Sequence, residues 1–109
     1  MKETLIITPV TSAVNYSGSA QKNNVSNARY VLCGNTISKT NTNATRFVVV
    51  ASSTGTIKGT FMLGANDTRI IEKEPSDTVY GGTGPTGSGG SGTGGANTVF
   101  TKVTINGIG

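Results

Sequence analysis

Five carboxylates are the only acid–base groups in this chain: Glu3, Asp67, Glu72, Glu74 and Asp77, the last four within eleven residues. Histidine is absent, which removes the commonest general base, the usual nucleophile–base–acid triad and the commonest zinc ligand. Glu72 and Glu74 stand two apart. On one strand they would project to the same face, the arrangement a paired-carboxylate glycosidase needs. Against that reading, the chain has no Trp and three Tyr to stack a sugar. A solvated strand face beside Lys73 and a turn aspartate account for the same residues. Asn66, Asp67 and nearby carbonyls offer oxygen ligands for calcium, but their spacing matches no known ligand loop. The single cysteine, Cys33, sits in the apolar run Tyr30-Val31-Leu32-Cys33. It excludes an intrachain disulfide and reads as a buried, inert thiol. The Gly-rich run 81–95 holds no Lys and opens no helix, so the phosphate-loop and dinucleotide patterns both fail. The expectation is a protein that is not an enzyme and has no cofactor or metal.

These residues must be positioned by strands. At 109 residues the chain is expected to be a single domain, 1–109, rich in Thr, Val, Ile, Ser, Asn and Gly and poor in strong helix formers. Strands are expected over 4–8, ended by Pro9, which cannot donate to a ladder. The next run is 28–33, stopped by Gly34-Asn35, with 11–27 between them as loop or irregular edge. Residues 46–51 are apolar on both faces, as in a central strand. Ser52 to Gly55 reads as a hairpin turn into 56–63, where Ile57, Phe61 and Leu63 form an inward face. Turns follow at 64–67 and 74–77 around a strand 68–74, then strands 78–80 and 98–105, with Val99, Val103 and Ile105 on one face. Residues 81–95 are expected to be a flexible Gly-rich loop. The fold class is therefore all-β: a small antiparallel β-sandwich or partly open β-barrel with a long Gly-rich loop.

The formal charge of +4 is spread over nine scattered bases, with no Lys/Arg run. A nucleic-acid binder usually concentrates its charge, so nucleic acid is not an expected partner. No apolar run approaches a membrane span, and Lys2-Glu3 before a short apolar stretch does not resemble a signal peptide. Production in the host cytoplasm without export or membrane partner is the expectation. Four Asn-X-Ser/Thr matches, at Asn15, Asn24, Asn43 and Asn66, read as loop composition rather than glycan sites.

One stretch of sequence carries a resemblance. Gly59-Thr60-Phe61-Met62-Leu63, then Asn66, then Ile70-Ile71-Glu72-Lys73-Glu74-Pro75-Ser76-Asp77-Thr78, resembles a pattern in small virion proteins of tailed phages, notably marine cyanophages. There a Gly-x-Phe strand precedes an apolar-Glu-Lys, a turn and Asp-Thr. Phe100-Thr101-Lys102-Val103 is similar to their C-terminal strand, and the Gly-rich insert departs from the pattern. The resemblance implies a capsid decoration (cement) protein on the virion exterior, stabilising the shell. Its partner would be the major capsid protein of the phage, with self-association left open. A tail or neck component is the sister reading. A carbohydrate-binding β-sandwich is the alternative of another class, although stacking aromatics are scarce. The expected contacts are an N-terminal arm (Lys2, Glu3, Thr4, Leu5, Ile6), the turn at Asn66-Asp67, and Gly84-Pro85 in the Gly-rich run, because strand addition and exposed loops are common modes of recognition.

Overall fold

A computed structural model describes residues 5–16, 18, 21–38, 44–82 and 97–109. Eight strands form in chain order: β1 (Ile7–Pro9), β2 (Val14–Asn15), β3 (Tyr30–Asn35), β4 (Arg46–Ala51), β5 (Ile57–Leu63), β6 (Thr68–Glu72), β7 (Thr78–Gly82) and β8 (Thr98–Ile105). They build two antiparallel sheets without barrel closure. The first has the order β1-β8-β3-β6, with β2 also on β8; the second has the order β5-β4-β7. The chain is thus an all-β sandwich.

Side-chain parity assigns the faces. Val31 and Cys33 on β3 are fully buried, and Cys33 lies opposite Phe100, also fully buried. From the second sheet, Val48, Leu63 and Val79 pack into the same core. Opposite faces of a strand alternate, so Leu32, Ile70, Val99 and Val103 project from the outer side of the first sheet. Val99, Val103 and Ile105 do share a face, but Phe100 is the residue that β8 sends to the main core. On the second sheet Val49, Ala51 and Tyr80 form a separate small cluster on the far face. Central β4 is therefore apolar on both sides, as its sequence indicates.

Several boundaries differ from expectation for local reasons. Pro9 lies inside β1, opposite Val103. Val10 N–H donates to Lys102 O and Asn106 N–H to Ile6 O. Alternation of the ladder then turns Pro9 nitrogen toward the open edge, where no bond is lost. The 11–27 stretch contains β2, and Asn23 bridges Val79. β3 runs through Gly34 and Asn35 because both are accommodated in the sheet. A Cβ on Gly34 would lie 3.3 Å from Val99 Cγ2. Buried Asn35 donates through Nδ2 to Ala44 O (2.7 Å) and Leu63 O (3.0 Å), and its Oδ1 accepts from Ile37 N–H (3.1 Å). On β5 the inward face is only partly formed: Leu63 is buried, Phe61 half-buried, and Ile57 exposed beyond a bulge at Val50/Ala51. β7 extends through Gly81 and Gly82, both buried, so the Gly-rich run begins inside a strand. The rest of that expected loop, 83–95, lies outside the described residues.

Two further features shape the molecule. Residues 16–23 run along the outer edge of β7: Gly81 N–H donates to Tyr16 O, Gly18 N–H to Gly81 O, and Asn23 and Val79 exchange backbone bonds. The chain thus passes from the edge of one sheet to the edge of the other between Asn15 and Tyr16, whose ring stacks on Phe100 (centroids 5.9 Å apart). Next, Val25, Ser26 and Asn27 adopt a left-handed turn, with φ of 56°, 55° and 56°. Asn23 Oδ1 accepts from Val25 N–H, Asn24 Oδ1 accepts from Asn27 N–H, and Ala28 N–H closes on Asn24 O. Burial of Val25 and these bonds offset the roughly 1–2 kcal/mol that each left-handed residue costs.

Candidate functional site

The acidic stretch is rearranged relative to the strand that its sequence suggests. β6 ends at Glu72, so Glu72 and Glu74 do not share a strand face. Lys73 turns inward and is buried rather than solvated. Its Nζ donates to three carbonyls: Ala28 O (2.7 Å), Glu74 O (3.2 Å) and Pro75 O (3.2 Å). This ties the 74–77 turn, closed by Asp77 N–H to Glu74 O, against the start of β3. Burial lowers the Lys73 pKa to about 8, with Asp77 opposing and Lys102 adding to the shift.

The other charges are engaged as well. Asp77 is buried and takes Lys58 Nζ at 2.9 and 3.0 Å. Glu72 Oε2 accepts from Arg29 Nε at 2.9 Å, a contact that raises the Arg29 pKa, and Arg29 also lies over the Tyr30 ring. Together Arg29, Glu72, Lys73, Glu74, Pro75 and Asp77 line an open cleft of about 660 Å³. Two of its three carboxylates are bound to cations, and the ammonium of Lys73 has all three protons committed. Among the described residues no group of three His, Cys, Asp or Glu is placed to hold a metal. Cys33 is buried in the core, and its thiol is pushed up to about 12 by burial, as an inert thiol should be.

The expected contact residues fall at two poles of the first sheet. Asn66 has φ 61°, and Asp67 Oδ2 accepts from Gly64 N–H at 3.0 Å, so this aspartate closes its own turn. Asn66 also lines a mostly apolar pocket of about 280 Å³ with Ala13, Leu32 and Val99. At the opposite end, Leu5 and Ile6 are exposed, and Ile6 exchanges hydrogen bonds with Asn106. The length of β8, roughly 24 Å at about 3.4 Å per residue, separates the two ends. Lys2, Glu3, Thr4, Gly84 and Pro85 lie outside the described residues.

The feature that sequence reasoning missed is the extent of the apolar edge. Six of the eight exposed large hydrophobic residues, Leu5, Ile6, Ile7, Val10, Val14 and Ile108, line the β1–β2 edge and the adjoining C-terminal turn. This concentration picks out the edge rather than either sheet face as the exposed apolar surface. The other edges differ: β5 carries Lys58, β6 carries Arg69 and Glu72, and β7 is covered by residues 16–23. Charges on edge strands oppose pairing with foreign strands. The signal was present in the sequence, since residues 4–21 contain no charge.

No family model, curated protein or solved structure matches the chain.

Proposed function

We propose that this chain is a structural component of a virion: a capsid decoration protein that binds the outside of a phage shell and adds contacts between its subunits. The observation that carries the reading is the charge-free, apolar β1–β2 edge on a small sandwich whose other described edges are charged or covered. Such an edge recognises extended backbone and apolar side chains, which suits attachment to a protein shell. Engagement of Glu72, Asp77 and Lys73 in structural contacts supports action through surface shape rather than through acid–base chemistry. The resemblance over residues 59–78 and 100–103 supplies the virion context. A net charge of +4 favours approach to an acidic capsid exterior.

The test is quantitative mass spectrometry of purified virions. Decoration requires a copy number comparable with that of the major capsid subunit. A single ring's worth of copies would assign the chain to the neck or tail, and absence from virions would end the reading. Deleting residues 1–8, which removes Leu5, Ile6 and Ile7, should abolish retention on the particle.

A further inference from the structure

We propose that β1 pairs antiparallel with β1 of a second copy, joining the two first sheets into one continuous sheet across a twofold axis. The backbone dictates the register. Ile6 and Val10 bond to the β8 side, so the N–H and C=O groups of Leu5 and Ile7 and the carbonyl of Pro9 point outward. With Ile7 opposite Ile7 of the second copy, each Ile7 N–H donates to the other Ile7 carbonyl. Each Leu5 N–H donates to Pro9 O across the axis. Four hydrogen bonds form, and the missing N–H of Pro9 leaves only the Leu5 carbonyls to water.

Charge selects a second copy as the occupant. The chain carries +4, and an approaching copy is repelled wherever its bases lead. The β1–β2 edge has no charge, so two copies meeting there bring together apolar groups and keep their bases apart. The surface is also self-complementary, as a twofold contact requires: the same Leu5, Ile7 and Pro9 supply donors and acceptors on both sides.

Area sets the strength. Six side chains, 42–63% exposed, each with roughly 100 Å² of apolar surface, give roughly 300–400 Å² per copy. A stable interface buries about 800 Å² per partner. The pair is therefore weak, and concentrations from about 10 μM to about 1 mM are needed to populate it.

Sedimentation equilibrium of the full chain over that range should show the mass rising toward a dimer. Added salt should strengthen association, because it screens repulsion between two positive copies. Ile7→Lys and Ile7→Pro should remain monomeric. The proline removes only an outward N–H, so its circular dichroism should match wild type. On the unmodified chain, amide exchange at Leu5 and Ile7 should slow as concentration rises. A wild-type chain monomeric throughout, variants that associate as wild type does, or concentration-independent exchange at both amides would each overturn the proposal. A monomer that still decorates virions would sink this inference and leave the capsid reading standing.

Discussion

Replacing Gly81 by alanine should destabilise the fold by about 3 kcal/mol or more, although alanine ordinarily improves a strand position. Gly81 is not among the glycines with positive φ, so the effect is steric. A Cβ there would lie 2.5 Å from Thr98 Cβ, 2.6 Å from its Oγ1 and 2.8 Å from its Cγ2. Neither partner has room to retreat. Gly81 N–H donates to Tyr16 O, its carbonyl accepts from Gly18 N–H, and the residue pairs with Val48 on the other side. Thr98 is fully buried and pairs with Asn35. Overpacking a rigid core costs about 1–3 kcal/mol, and movement of both backbones places this site at or beyond the upper end. The roughly 0.5–1 kcal/mol that alanine gains over glycine in a strand offsets a minor part. Because the closest atom is Thr98 Cβ, Thr98→Ala should not relieve the clash, whereas Thr98→Gly should. Double-mutant cycles in urea, followed by circular dichroism, measure the difference. Gly81→Ala combined with Thr98→Gly should show a coupling of about 2 kcal/mol or more, and Gly81→Ala combined with Thr98→Ala a coupling near zero. A Gly81→Ala protein within about 0.5 kcal/mol of wild type, or equal rescue by both Thr98 variants, would refute the steric argument.

Asn35→Ala should cost about 2–3 kcal/mol, because it strips partners from the buried Leu63 and Ile37 backbone and from Ala44; thermal unfolding measures it, and a loss under about 1 kcal/mol would contradict the clamp. Lys73 gives a pH signature. Its folded pKa near 8 lies below the ordinary 10.5, so between those values the unfolded chain holds more protons and stability rises with pH. Below about pH 8 both states are protonated, and this contribution is flat. Urea midpoints should climb across that window in wild type but not in Lys73→Met, and an identical slope in both would rule Lys73 out as the cause. Ser26→Gly should stabilise by about 0.5–1 kcal/mol, since an exposed residue at φ 55° gains from glycine's freedom; chemical denaturation showing destabilisation would mean that the left-handed turn is not held as described.

Much of the sandwich was legible because period-two alternation and turn chemistry are local. The strands at 46–51 and 98–105 have the boundaries that their runs of Val, Phe, Ile and Thr suggest. The turn at 64–67 closes as its Gly and Asn imply. What escaped was set by neighbours distant in sequence. Whether Pro9 ends a strand depends on which side of it β8 lies. Gly34 and Gly81 read as breakers but sit in ladders where Val99 and Thr98 approach closely. Lys73 reads as solvated, yet carbonyls from Ala28 and the following turn enclose it. At the candidate site, Leu5 and Ile6 were identifiable from position and hydrophobicity. Val10, Val14 and Ile108 join them only because β1, β2 and the C-terminal turn fold onto the same margin of the sheet.

The pairing of Ile7 with Ile105 has a consequence for how the molecule is made. During synthesis β3 and β6 can meet early, as can β4 with β5 and β7, but β8 reaches the tunnel exit last and stands between β1 and β3. Until then β1 has no native neighbour, and its apolar side chains wait in the growing polypeptide. Closure over so long a stretch of chain is slow by its entropy, so assembly of the first sheet must follow translation rather than accompany it.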